Sequence, residues 1–429
     1  MRADFEPQEN STPSRRLTVR AKRLRVVASA ATACVIAILA ARSAQAQTYK
    51  VLHTFHGIRD GSTPEASMIQ DGKGNLYGTT GAGGKGNFGT VFELSKTGRE
   101  TLLSGFVSGK GISPFAGVIQ DAEGNLYGTT DNGGSGGAGT VFKLSKTGHL
   151  TALYSFTGQA DGGNPIGSGV IRDALGNLYG TTAYGGELGA CKGGMGCGVV
   201  FRLSKTGKQT VLHTFCQSNC NDGALPLSGV IQDAKGNLYG TASWDGFFGW
   251  GTIFRLSKSG KETVLYSFKG ANDGASPVAI ILDAKGNIYG TTNQGGGSSE
   301  CVYGCGTVFK LDTTGKETIL HRFTGGADGA SPYLAGVIQD AEGNLYGTTS
   351  EGGNTSCSKG CGVVFELSKA CKESILYSFT GGSDGAYPLA GLIRDAGGNL
   401  YGTASSGGDL SCVGSFNIHG CGVIFKITP

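Results

Sequence analysis

The side chains in this sequence most capable of chemistry cluster in short, Gly-rich stretches. The only two tryptophans, Trp244 and Trp250, share one loop with Phe247 and Phe248. On an exposed loop, four aromatics stack against sugar rings or anchor a protein partner. Tyr184 takes the repeat position of Trp244, and Tyr303 sits in another of these loops, so both join the candidate binding set. The opposing reading is that the rings fold inward. Trp250 aligns with Phe88 and with cysteines elsewhere, so it could simply fill a packing space, which leaves Trp244 as the outward member.

Ten cysteines fall into close pairs: Cys191/Cys197, Cys216/Cys220, Cys301/Cys305, Cys357/Cys361 and Cys412/Cys421. In an exported chain such pairs read as disulfides, each worth about 2 kcal/mol for rings this small. Cys301, Cys305, Cys357 and Cys361 also form a plausible zinc set. An oxidising compartment favours the disulfides. Cys371 is left as a spare thiol.

Catalytic constellations are thin. His53, His213 and His321 share one position that Ser or Tyr fills in other copies, and His56, His149 and His419 are isolated. The chain carries no nucleophile motif, phosphate loop or histidine metal spacing. Asp60, Asp161, Asp222, Asp273, Asp328 and Asp384 each precede a Gly ahead of a Pro. A ring of carboxylates suggests Ca²⁺, but on separate blades they lie too far apart for one ion. They read as turn formers. No cofactor and no metal are expected.

The elements that must hold these residues come from a repeat. Gly-Asn-Leu-Tyr-Gly, once with Ile, begins at Gly74, Gly124, Gly176, Gly236, Gly286, Gly343 and Gly398. In the fifth copy, an apolar run Val278 to Leu282 leads into the tight turn Asp283-Ala284-Lys285-Gly286-Asn287. Strands follow at Ile288–Thr292 and Thr307–Leu311, separated by a Gly-rich loop. A second turn at Thr313–Lys316 leads to a fourth strand over Glu317–Phe323. Four antiparallel strands in about fifty residues make one propeller blade, so the chain reads as an all-β, seven-bladed β-propeller.

The ends predict closure of the ring. Tyr49–Phe55 matches a fourth strand with no preceding three, and Gly422–Ile427 matches a third strand lacking its fourth. The N-terminal strand should therefore complete the last blade and remove an open sheet edge. Loops after the second strand then share one face with the blade linkers. They run 8, 8, 15, 8, 13, 12 and 17 residues, whereas the tight turns barely vary. Variable loops on a rigid frame are where binding belongs.

The repeat resembles the GloVer tandem repeat of exported bacterial proteins. The likeness rests on Gly-Asn-Leu-Tyr-Gly-Thr-Thr, then Gly-Gly, then Gly-Thr-Val-Phe-Lys-Leu, as at Gly124 to Leu144. It covers essentially all of the chain from Tyr49 onward. It implies export and a propeller-like fold, with no defined reaction. Members often carry a C-terminal sorting or anchoring signal. Here Pro429 follows a blade strand directly, a departure from that habit that counts against an anchored location.

Residues 1–46 read as a signal peptide and 47–429 as the propeller. A basic stretch, Ser14 to Arg25, precedes an apolar run, Val26 to Ala41, and Ala44-Gln45-Ala46 supplies a cleavage pattern before Gln47. Ser14-Arg15-Arg16-Leu17-Thr18-Val19-Arg20 resembles a twin-arginine motif, with Thr18 where a bulky apolar residue is usual. The leader holds eight basic and three acidic residues, which leaves 28 and 29 beyond it. A near-neutral body argues against nucleic acid as partner. The expected protein is a periplasmic or extracellular monomer with no membrane span. It binds an extracellular glycan or protein through its loop face. An extracellular polymer lyase or hydrolase is the alternative, and a structural envelope role the third.

Overall fold

The computed structural model describes residues 47–429 except 168, 192, 218, 335 and 414–418; the leader lies outside the described residues. Seven four-stranded antiparallel sheets follow one another, numbered here as blades 1 to 7 in the order of their Gly-Asn-Leu-Tyr motifs. Blade 5 contains Ala275–Leu282, Ile288–Gln294, Thr307–Leu311 and Glu317–Arg322. The fold is a seven-bladed β-propeller.

Ring closure follows the expected route. Thr48–Thr54 pairs antiparallel with Val423–Thr428 and becomes the outer strand of blade 7. Tyr49 stacks on Tyr377 of blade 6, with ring centroids 3.7 Å apart.

Two features explain why this sequence makes these sheets. The second Gly of each motif sits opposite a third-strand Phe, as Gly78 does opposite Phe92. A Cβ at Gly78 would lie 2.6 Å from the Phe92 ring, so only Gly lets the aromatic lie flat across the strand. A second Phe, just past each outer strand, meets the next blade's ring edge to face. Phe55–Phe92 and Phe379–Phe425 lie at 5.3 and 5.2 Å, and the other five junctions repeat the contact. These phenylalanines are fully buried. Edge-to-face geometry adds about 0.5–1.5 kcal/mol per pair beyond burial.

The innermost strands depart from expectation. In six blades they shrink to two residues, such as Ile69–Gln70, and only blade 5 keeps a long one. Backbones crowd where these strands begin. A Cβ on Gly117 would lie 2.4 Å from the Ser67 carbonyl oxygen, and one on Gly229 would lie 2.8 Å from that of Gly169. Neighbouring blades touch main chain to main chain, which leaves little length for ladder pairing. Fourth strands end one residue early as well, at Arg322 rather than Phe323, because Phe323 turns into the core.

All five cysteine pairs form disulfides, and Cys371 is free and exposed. The zinc reading of Cys301, Cys305, Cys357 and Cys361 therefore falls, since disulfide sulfurs carry no thiolate to bind metal. Five disulfides point to an oxidising, extracellular environment. Among the described residues, no helix is long and apolar enough to cross a membrane.

Candidate functional site

On the loop face the frame is set by main chain. The residue before each linker proline adopts positive φ: Thr63, Ser113, Asn164, Leu225, Ser276, Ser331 and Tyr387 lie between 52° and 59°. Seven non-glycine residues held in this region is uncommon, and such backbone gathers at functional sites. Each N–H donates to the carbonyl that closes the preceding blade's loop, as Thr63 does to Cys421 and Ser276 to Trp250, both at 3.0 Å. Linker and loop are thereby locked together around the channel mouth.

The linker aspartates act as turn formers. Asp60 accepts the His56 N–H at 2.8 Å, and Asp328 accepts the Thr324 N–H at the same distance. The shared histidine position on the outer strands faces these carboxylates, as His53 faces Asp60 at 3.0 Å. His56 pairs with Asp409 across the loop face at 2.8 Å. His419 is exposed.

Five of the seven residues that follow a linker proline reach the mouth. Phe115, Ile166, Tyr333 and Leu389, with Leu334, line a cavity of about 410 Å³ that also holds Glu65. Glu65 is one of two carboxylates in this largely apolar wall, with Glu351, and burial pushes it up to about 7. Burial, Glu65 and Tyr184 together raise Tyr333. Asp131 is also buried. Burial raises it to about 6, although hydrogen bonds from Asn164 and Asn132 work the other way. Its Oδ1 finds no partner.

The mouth opens outward between blades 5 and 6. A groove of about 670 Å³ shares Tyr333, Ser350 and Glu351 with the mouth cavity and continues past Tyr303 and Glu300. Glu351 pairs with Lys359 at 3.3 Å and accepts the Ser331 hydroxyl at 3.3 Å. Tyr303 is 62% exposed and Tyr333 45%. The groove thus offers flat aromatic faces beside carboxylate and hydroxyl groups.

The four loop aromatics of blade 4 stand apart, and none of them lines either cavity. Trp244 is 56% exposed and Phe247 71%, with Phe247 edge to face on Phe248 at 4.9 Å. Lys269 lies over the Phe248 ring at 5.8 Å. Trp250 also serves the frame. Its indole lies against Gly270, where the equivalent Gly325 and Gly381 meet the disulfide sulfurs of other blades. Of the residues singled out in the sequence, Tyr303 lines the groove and Tyr184 lines neither cavity, while Trp244, Phe247, Phe248 and Trp250 lie outside both.

Glu65 and Tyr333, both in the mouth cavity, were missed by sequence reasoning. A signal was available for both. Aligned after the linker proline, the seven copies read Glu65, Phe115, Ile166, Leu227, Val278, Tyr333 and Leu389, and a carboxylate stands out in that column.

No curated protein matches the chain in sequence. Among solved structures, the fold is similar to virginiamycin B lyase from Staphylococcus aureus, with a TM-score of 0.55 and 12% identity over 89% of this chain and 99% of that one. It is also similar to the extracellular domain of a protein assigned as a one-component system from B. thetaiotaomicron. There the TM-score is 0.51 and the identity 12%, over 89% of this chain and 41% of that one. At such identity these likenesses speak to fold alone. The Gloeobacter/Verrucomicrobia repeat profile matches residues 37–192 and 189–416. Read with the seven copies and their shared geometry, that match makes the chain a member of the Gloeobacter/Verrucomicrobia repeat family.

Proposed function

We propose that this protein is an exported glycan-binding propeller whose loop face holds a polysaccharide along the groove between blades 5 and 6. The observation that carries the reading is the continuous groove from Tyr303 to Tyr333, flanked by Glu351 and Ser350. Pyranose rings present apolar faces to aromatics and hydroxyls to carboxylates, so this mixture suits a sugar chain better than an apolar peptide. Trp244, Phe247 and Phe248 serve as a second contact for a long polymer. The paired cysteines of the loops and the basic, then apolar, start of the chain support export.

A hydrolase or lyase acting on the same polymer is the second reading. It is favoured by Glu65 in the wall of the mouth cavity, whose carboxyl burial pushes up to about 7, near neutral where a general acid or base operates.

One experiment addresses both readings. Mature protein is screened on a glycan array and against polysaccharides for retention and for turnover. Tyr303→Ala with Tyr333→Ala should weaken retention roughly tenfold, about 1.4 kcal/mol, and Trp244→Ala should weaken it only for long chains. Full retention by a folded double variant would end the groove proposal. Turnover that Glu65→Gln abolishes without loss of retention would replace binding by catalysis.

A further inference from the structure

Six of the seven blade junctions carry one construction at the outer rim. A residue on the outer strand meets the linker aspartate, and the next blade's outer strand closes over the pair. His53 and His213 meet Asp60 and Asp222 at 3.0 and 2.9 Å, within direct hydrogen-bond range. Tyr154, Tyr266 and Tyr377 donate to Asp161, Asp273 and Asp384 at 2.9, 3.0 and 2.9 Å. The blade 1 to 2 junction lacks both members, with Ser104 and Lys110 in their places.

The junction between blades 5 and 6 differs. His321 Nε2 stands 3.6 Å from Asp328 Oδ2 and 3.4 Å from Glu373 Oε1. The three ligand atoms lie within 4.8 Å of one another. Neither His321 Nε2 nor Glu373 Oε1 makes a hydrogen bond, although both atoms are buried; the equivalent oxygens of Glu100, Glu262 and Glu317 are unpaired as well, so the histidine nitrogen is what sets this junction apart. The side chains themselves are 15% to 18% exposed. Leaving buried polar atoms unsatisfied is costly, so a partner for them is favoured.

The spacing has a chemical match. Ligands held about 2.1 Å from a tetrahedral ion stand about 3.4 Å from one another. The separations here fit that value, and 3.6 Å is too long for a hydrogen bond. One imidazole and two carboxylates bring two negative charges, which a divalent ion balances. The set is of the kind that binds borderline first-row metals. Thr324 already orients Asp328, donating its N–H at 2.8 Å and its hydroxyl as well. The His321 ring is steadied edge to face on Phe323 at 4.8 Å.

We propose that His321, Asp328 and Glu373 bind one zinc-class divalent cation, with water completing the shell, and that the ion clips blade 5 to blade 6 at the rim. The site is separate from the loop-face groove and would hold whichever reading of that groove proves right.

The test is titration of the mature protein with Co²⁺, followed by its visible absorption and by equilibrium dialysis, then displacement with Zn²⁺. One equivalent should bind with a tetrahedral-type spectrum. His321→Tyr installs the residue of three sister junctions and so preserves the fold, which circular dichroism verifies. It and Glu373→Gln should each weaken binding by at least about tenfold, since even second-sphere partners of a metal cost 10–100-fold. His213→Tyr should leave affinity unchanged. Absence of stoichiometric binding overturns the proposal, as does unaltered affinity in His321→Tyr or an equal loss in His213→Tyr.

Discussion

The two faces of the ring are built by different means, and the difference explains why one is monotonous and the other varied. On the turn face the hairpins depend on side chains. Asp121 Oδ1 accepts the N–H groups of Glu123 and Asn125, and Oδ2 accepts the Asn125 amide and the Tyr127 hydroxyl. Similar aspartate-centred networks recur at Asp71, Asp173, Asp233, Asp283, Asp340 and Asp395. Partial burial works to raise these carboxyls, but the donors outweigh it and hold them below the usual range, Asp121 at about 2. On the loop face the lock is backbone to backbone, from a positive-φ N–H to a loop-closing carbonyl. Any side chain satisfies that bond, so Phe88, Ala138, Trp250 and Cys305 all occur at one position. A surface held by main chain leaves its side chains free for a ligand.

The sharpest way to break this contrast is to attack the scaffold that both faces share. Phe55→Ala removes a fully buried ring at the closure between blades 7 and 1. Such truncations cost about 3–5 kcal/mol. Equilibrium denaturation should show that loss, with ligand retention falling in parallel. A cost below about 1 kcal/mol would mean the N-terminal strand does not close the ring.

A substitution confined to the turn face separates the two. Asp121→Ala removes the acceptor of four donor groups and should cost about 2 kcal/mol at neutral pH while leaving glycan retention intact. The depressed carboxyl sets the sign of the pH dependence. Its contribution is present above about pH 4 and fades as pH falls toward 2, so the gap between variant and parent should narrow there. A gap that persists at pH 2 would show that the lost stability is not carried by the ionised carboxylate.

The smallest effect lies at the rim, where the sign reverses. Burial and Asp273 push Glu317 up to about 7, against the opposing pull of Arg322 and Lys269. Between about pH 4.5 and 7 the folded chain holds a proton that the unfolded chain has released, so this residue lowers stability as pH rises. Glu317→Gln should match the parent at pH 4 and exceed it by about 1–2 °C in Tm at pH 8. Calorimetry at the two pH values reads it directly. A variant less stable at pH 8 would show that the ionised carboxylate is well accommodated.

Blade number, strand order and closure were legible because each rests on local pattern repeated seven times. Gly78 opposite Phe92 or Asp71 beside Asn75 needs only neighbouring strands, and the unmatched segments at the two ends imply their own pairing. The disulfides were legible for the same reason, since their partners lie four to nine residues apart. The inner strands were not, because their length is set by how closely neighbouring backbones crowd. The mouth was not either. Glu65 and Tyr333 are far apart in the chain, and only the ring brings them together.

The sequence by itself determined the repeating unit, its number and the way its ends meet, because short-range hydrogen bonds and alternating burial are written in adjacent residues. Tertiary structure alone decided which side chains share a cavity, which carboxyls lose their water and which histidine stands open beside two acids. Those properties belong to distances between blades, and such distances emerge only when seven near-identical units close on one axis.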